Sequence, residues 1–268
     1  MSPGTFNSIK MIYEINDLKF SYDRKAYVLD GVSLGINRGE LLCVLGRNGS
    51  GKSTFFSCLL GLQKNYEGSI KLNGKEVKTL KETDIAKVSG FVPQNISAQF
   101  SFTVFDYVLM GCAASVGLFE HPGEKEKNSV WNALELMEIS DFADREITSL
   151  SGGERQQIAI ARAIVSNPSV ILFDEPTAHL DYSNQVKVLR MIKDLSKMGF
   201  AIAVTTHDPN HAILLDGKVA LFDGKGHAEF GSTEEMITEE KLNGIYGSDL
   251  KIRYIDEFKR NVCIYPEL

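Results

Sequence analysis

Residues 46–54 read GRNGSGKST: a glycine, four residues, a second glycine, a lysine and two hydroxyl side chains. That spacing is suited to a loop that wraps phosphate oxygens. Glycines at 46, 49 and 51 allow positive φ and turn successive N–H groups inward, where the helix expected over 55–62 presents its positive dipole end. Gly46, Arg47, Asn48, Gly49, Ser50, Gly51 and Thr54 form the expected cradle. Lys52 would reach the β- and γ-phosphates of a nucleotide, and the Ser53 hydroxyl would ligate Mg²⁺.

A second group of acids is spaced to serve that loop. Residues 170–176 read VILFDEP, an apolar run ending in Asp174 and Glu175. A buried strand of this kind delivers both carboxylates to its carboxyl end, the edge where open α/β sheets bind ligands. Asp174 is suited to hold Mg²⁺ beside Ser53, and Glu175 to take a proton from an attacking water. At 150–154, LSGGE places Ser151 and the amides of Gly152 and Gly153 at a helix start. That start invites an anion, although a serine cap alone is usually structural.

The elements that must position these groups follow from pattern. The run at 40–45 reads as a strand entering the phosphate loop, and 170–174 and 201–206 as buried strands of a parallel sheet. Segments 12–20, 28–36 and 69–72 read as short antiparallel strands, with Asn73–Gly74 as a hairpin turn. A strand over 88–93 ends at Gln94, and composition then turns helical from 104 to 139. Within it, 121–128 reads as a charged loop before a helix at 130–137. Helices are expected over 151–165 and 182–198, a hairpin over 218–230, then short capped helices from 232 and a tail.

Bulk properties narrow the classes. The 268 residues are 43% hydrophobic, enough for a sizeable core, and the net charge of -6 argues against nucleic-acid partners. Cysteines 43, 58, 112 and 263 lack metal-type spacing and suit reduced, buried thiols. Histidines 121, 179, 211 and 227 likewise show no ligand spacing. The N-terminus has no apolar core of a signal peptide, and no apolar run is long enough to span a bilayer.

Taken together, GRNGSGKST, LSGGERQ and VILFDEP occur in the order found in the ATPase subunits of ATP-binding-cassette (ABC) transporters, and over about 12–231 the chain resembles that family. The resemblance implies a P-loop NTPase (RecA-like) α/β core with an antiparallel β subdomain and a helical subdomain at about 95–150. Residues 1–11 would be a mobile tail and 232–268 a C-terminal extension. It also implies roles by motif position. Tyr22 would stack on adenine, Gln94 would sense Mg²⁺ and water, Asp181 would contact the opposite subunit, and His207 would hydrogen-bond the γ-phosphate. Ser151, Gly152, Gly153 and Glu154 would close over ATP bound by the other copy of a head-to-tail homodimer.

Such a subunit would work at the cytoplasmic face of the cell membrane, bound to integral-membrane permease subunits and indirectly served by an extracellular or periplasmic substrate-binding protein. Aromatics across 100–119 are candidates for lining the groove that grips a permease helix, or alternatively for filling the subdomain core. The stretch 106–111, Gly117-Leu-Phe119, Pro122 and the sequence AHLD ending at Asp181 resemble the subgroup importing iron-siderophores, haem, cobalamin or related metal chelates. Cys112 and Glu154 depart from common family residues at their positions. The alternative implied by the family is a cytosolic ABC ATPase that acts in assembly or regulation. A single-site P-loop kinase would leave LSGGE and His207 without a role.

Overall fold

The computed structural model describes residues 11–95, 101–116 and 120–266. Of the expected tail, Met11 falls among them, and it already belongs to the first strand. The chain opens with β1 (Met11–Phe20) and β2 (Leu29–Asn37), then crosses into β3 (Leu41–Gly46), the phosphate loop and α1 (Lys52–Leu59). β4 (Glu67–Leu72) and β5 (Lys75–Glu76) turn at Asn73 and Gly74, both with positive φ, as expected of that dipeptide. Next come α2 (Glu82–Ala86), β6 (Ser89–Val92), α3 (Val104–Leu109), α4 (Glu124–Leu136), α5 (Gly152–Ile164) and β7 (Val170–Phe173). α6 (Tyr182–Lys197), β8 (Ala201–Thr206), α7 (Pro209–Leu215), β9 (Lys218–Phe222) and β10 (Ala228–Ser232) follow. The chain ends in α8 (Thr233–Met236), α9 (Glu239–Tyr246), β11 (Lys251–Ile255) and β12 (Arg260–Ile264).

Two sheets carry the molecule. β2-β1-β4-β5 is antiparallel, whereas β10-β9-β3-β8-β7-β6 is parallel except at its β10 edge. All six residues of β3 are buried, because parallel neighbours flank it on both sides and layers cover both faces. Alternation then sorts its side chains. Leu41, Cys43 and Leu45 join the core formed with α5, α6 and α7, while Leu42 and Val44 join the core shared with α1 and the antiparallel sheet. Tyr13 ties that second layer together: its hydroxyl donates to the Leu59 carbonyl at 3.0 Å and meets Ser89 Oγ at 2.8 Å. Parallel pairing brings the carboxyl ends of β3, β6, β7 and β8 to one edge. The phosphate loop, Gln94, the acid pair and His207 all leave the sheet there.

Two expectations change, and one open alternative narrows. The charged loop at 121–128 is largely helical, since α4 begins at Glu124. Glu126 reaches back to accept from Gly123 N–H at 2.9 Å, and Lys127 pairs with Glu124 at 3.0 Å, so the charges cap and lace a first turn. The C-terminal tail is an antiparallel hairpin, β11–β12. Among the aromatics of 100–119, Phe105 stacks on Trp131 at 5.3 Å and Tyr107 lies under the Arg162 guanidinium at 4.7 Å, so these two fill the subdomain. Phe100 and Gly117-Leu-Phe119 lie outside the described residues.

All four cysteines are free and buried, and burial pushes the Cys43 and Cys58 thiols up to about 12. They are packing groups. No helix among the described residues is long and apolar enough to cross a membrane.

Candidate nucleotide site

The loop between β3 and α1 is shaped by the absence of side chains. Gly51 stands before α1 with φ 98°, a conformation L side chains rarely adopt, and offers no side chain to cap the helix. The first amides of α1 are therefore free to meet an anion. Gly49 also has positive φ, but Gly46 does not. Gly46 is required for space, because a Cβ there would lie 2.6 Å from Ser50 Oγ and 2.8 Å from the Phe222 carbonyl. The Ser50 hydroxyl is buried with no hydrogen-bond partner. An orphaned hydroxyl beside uncapped amides is what a phosphate-binding loop leaves for its ligand to satisfy.

Lys52 is 4% exposed, and its ammonium is held in place by its own loop. Nζ donates to the carbonyls of Gly46 at 2.9 Å and Arg47 at 3.0 Å, and lies 3.1 Å from Glu175 Oε1. The second Glu175 oxygen is 3.3 Å from His207 Nδ1. Glu175 is thus clasped between the loop lysine and the histidine after β8. Its backbone takes φ 43°, a strained position for a side-chain-bearing residue, with a cost on the order of 1–3 kcal/mol. That turn aims the carboxylate back over the loop.

Asp174 faces Ser53. The Ser53 hydroxyl donates to Asp174 Oδ1 at 3.1 Å, which places two hard oxygen donors together at the mouth of α1. Magnesium takes few protein oxygens and completes its shell with phosphates and water, so this pair and the nearby Gln94 side chain fit the ion. Sequence reading missed the group that fixes both acids. Thr205 on β8 is fully buried, donates to Asp174 Oδ1 at 2.6 Å and accepts from Glu175 N–H at 2.8 Å. One hydroxyl holds the Asp174 carboxylate and the Glu175 backbone in register. Its only sequence signal is a hydroxyl at the end of an otherwise apolar strand.

An open cleft of about 410 Å³ has Tyr22, Lys52, Ser53, Gln94 and Glu175 in its walls. Tyr22 is 64% exposed; its ring edge packs on Phe20 at 4.8 Å and its hydroxyl meets Thr54 Oγ1 at 3.1 Å. It is therefore not a core aromatic. His211, one helical turn beyond His207, is buried between Thr206, Thr177 and Asp208. Burial lowers its pKa, and the neutral ring braces the end of β8.

Ser151, Gly152, Gly153, Glu154 and Asp181 are not among the residues lining this cleft. Ser151 caps α5 in a reciprocal pair, accepting from Glu154 N–H at 3.3 Å and donating its own N–H to the Glu154 carboxylate at 2.7 Å. Hydrogen bonding to the carboxylate by the Ser151 hydroxyl first, and by the Ser151 N–H second, holds the Glu154 pKa below the usual carboxylate range. Gly153 packs where a Cβ would strike Asn184, while Ser151 and Gly152 are exposed. Asp181 is an exposed cap of α6, accepting from Asn184 N–H at 2.8 Å. Ser151, Gly152 and Asp181 are thus left exposed, apart from the cleft.

Comparison with known proteins agrees with this arrangement. Residues 29–178 match the family model described as ABC transporter. The chain is 36% identical to the molybdate import ATP-binding protein MolC of Haemophilus influenzae, over 87% of each. It is 34% identical to a Helicobacter pylori protein named as a probable iron chelatin transport ATP-binding protein, over 92% of this chain and 97% of the relative. A solved structure assigned to a metal-chelate type ABC transporter, in an inward-facing conformation, superposes with a TM-score of 0.83 at 32% identity, covering 95% and 97% of the two chains. With its phosphate loop, acid pair and capped LSGGE helix in place, the chain belongs to the ATP-binding proteins of the ABC transporter family.

Proposed function

We propose that this protein is the ATP-hydrolysing subunit of a membrane importer for a metal chelate or a related oxyanion. The observation that carries the reading is the clasp of Glu175 between Lys52 and His207 above an uncapped helix start. Mg²⁺, held by Ser53, Asp174 and Gln94, would draw charge from the terminal phosphates. Glu175 takes the proton of the attacking water, His207 and Lys52 meet the terminal phosphate, and the exposed Tyr22 face receives the base. LSGGE and Asp181 act across a homodimer, which accounts for their absence from the cleft. The cargo class rests on the relatives named for iron chelatin and molybdate import and on the metal-chelate type neighbour. Iron-siderophore, haem and cobalamin belong to the same class.

Coupling to transport needs a surface for permease subunits at the cytoplasmic face of the membrane. A groove of about 370 Å³ runs between the β6 end and α3, lined by Leu62, Phe91, Pro93, Met110, Gly111 and Ala114. Phe91, Met110 and Leu62 are exposed there, which suits an apolar cytoplasmic helix of the permease. In this reading 95–150 serves as the helical subdomain and a substrate-binding protein delivers cargo on the far side. Affinity capture from detergent-solubilised membranes of the native source tests it. The wild type should bring down a polytopic membrane protein, and Phe91→Glu should lose it while ATP binding persists. Recovery of soluble proteins only would move the chain to assembly or regulation.

A further inference from the structure

The His207 side chain is 52% exposed, and among the described residues its ring pairs with Glu175 alone. Its place is therefore set by its main chain. From the sheet side, Asp208 N–H donates to Thr206 Oγ1 at 3.1 Å and His211 braces the same hydroxyl. The opposite grip comes from the C-terminal extension, beyond the residues matched by the family model. Tyr246, the last residue of α9, donates its hydroxyl to the His207 carbonyl at 2.8 Å. Asn210, at the start of α7, pairs with the β12 backbone: Nδ2 donates to the Cys263 carbonyl at 3.0 Å, and Oδ1 accepts from Cys263 N–H at 2.9 Å.

The extension is itself tied from end to end. Asn243 bonds both backbone groups of Leu250, at 2.7 and 3.1 Å. Glu239 accepts from Ile252 N–H at 2.9 Å and from the Arg253 guanidinium at 2.7 Å. These bonds join α9 and the hairpin to residues 207–210 in one continuous set of contacts. We infer that the C-terminal extension positions His207 for ATP hydrolysis, with Tyr246 and Asn210 as the positioning residues. The inference rests on the proposed role of His207 at the terminal phosphate. Burial raises the Tyr246 pKa, so the hydroxyl keeps its proton and remains a donor across the working pH range.

The test is steady-state ATP hydrolysis by the full chain with Mg²⁺, for wild type, Tyr246→Phe, Asn210→Asp, His207→Ala and the Tyr246→Phe/His207→Ala double variant. Tyr246→Phe removes one oxygen and keeps the ring. It should lower kcat by roughly two- to tenfold, the scale of one lost neutral hydrogen bond, with KM for ATP and the thermal midpoint unchanged. Asn210→Asp keeps the acceptor and loses the donor, and should act in the same direction. In the His207→Ala background Tyr246→Phe should cause no further loss. Wild-type kcat in both Tyr246→Phe and Asn210→Asp, alongside a lowered but measurable kcat in His207→Ala, overturns the inference while leaving the role of His207 intact. An equal fall in both backgrounds also overturns it. Wild-type turnover by His207→Ala overturns the role of His207, and the inference with it.

Discussion

Glu175→Gln is expected to lower ATP turnover by about 10²- to 10⁴-fold, the range associated with a general acid–base group, while ATP binding is retained. The substitution keeps the size of the side chain and its hydrogen-bonding reach, and removes its ability to accept a proton. The surroundings argue that this is the property that matters. The carboxylate is 12% exposed, lies within 3.1 Å of Lys52 and 3.3 Å of His207, and is carried on a backbone turn fixed by Thr205. A group that served only as counter-ion to Lys52 would behave differently. Its neutralisation would alter nucleotide affinity and leave kcat for bound ATP nearly unchanged. Separate measurement of ATP binding and single-turnover hydrolysis distinguishes the two.

The second large effect is on binding. Lys52→Ala should weaken ATP affinity by roughly 10- to 150-fold, the scale of a lost hydrogen bond to a charged group. Lys52 is the one cationic side chain among the residues lining the cleft. Its removal also leaves Glu175 without its nearest positive charge, so a polyphosphate would approach an uncompensated carboxylate. The loop should stay folded, because Gly46 and Gly51 shape it through close approach and positive φ rather than through the lysine. Titration of nucleotide binding by calorimetry, with a thermal midpoint alongside, checks both parts. Near-wild-type affinity in a folded variant would remove Lys52 from the site.

Which parts of this were legible in the sequence follows from what each signal encodes. The phosphate loop, the acid pair and the capped helix are local in sequence, and each carries its own residue types. Parallel strands were recognisable because runs such as 170–173 and 201–204 are apolar without alternation, the mark of burial on both faces. The positive φ of Glu175 was not legible, since glutamate carries no signal for that conformation. Thr205 was hidden because its role depends on β8 lying beside β7, a pairing 31 residues apart. α7 had a usable signal in Asp208–Pro209, a cap followed by proline at the first helical position, that the pattern reading passed over. The terminal hairpin was missed because its strands are short, half-exposed and mixed in charge, with Cys263 the one fully inward residue. That LSGGE stands apart from the cleft could not be read from spacing at all. Only the fold shows that one copy keeps it away from the loop it is expected to serve.

That separation leads to the central claim, that one chain holds half of the ATP site and a second copy supplies Ser151, Gly152 and Gly153. The most direct measurement is the solution mass of the full-length Glu175→Gln protein by light scattering, with and without ATP and Mg²⁺. A mass that doubles with nucleotide, and fails to double when Ser151→Arg is added, is the result expected. A protein that stays monomeric with ATP and Mg²⁺ across the concentration range in which the wild type hydrolyses ATP would contradict it.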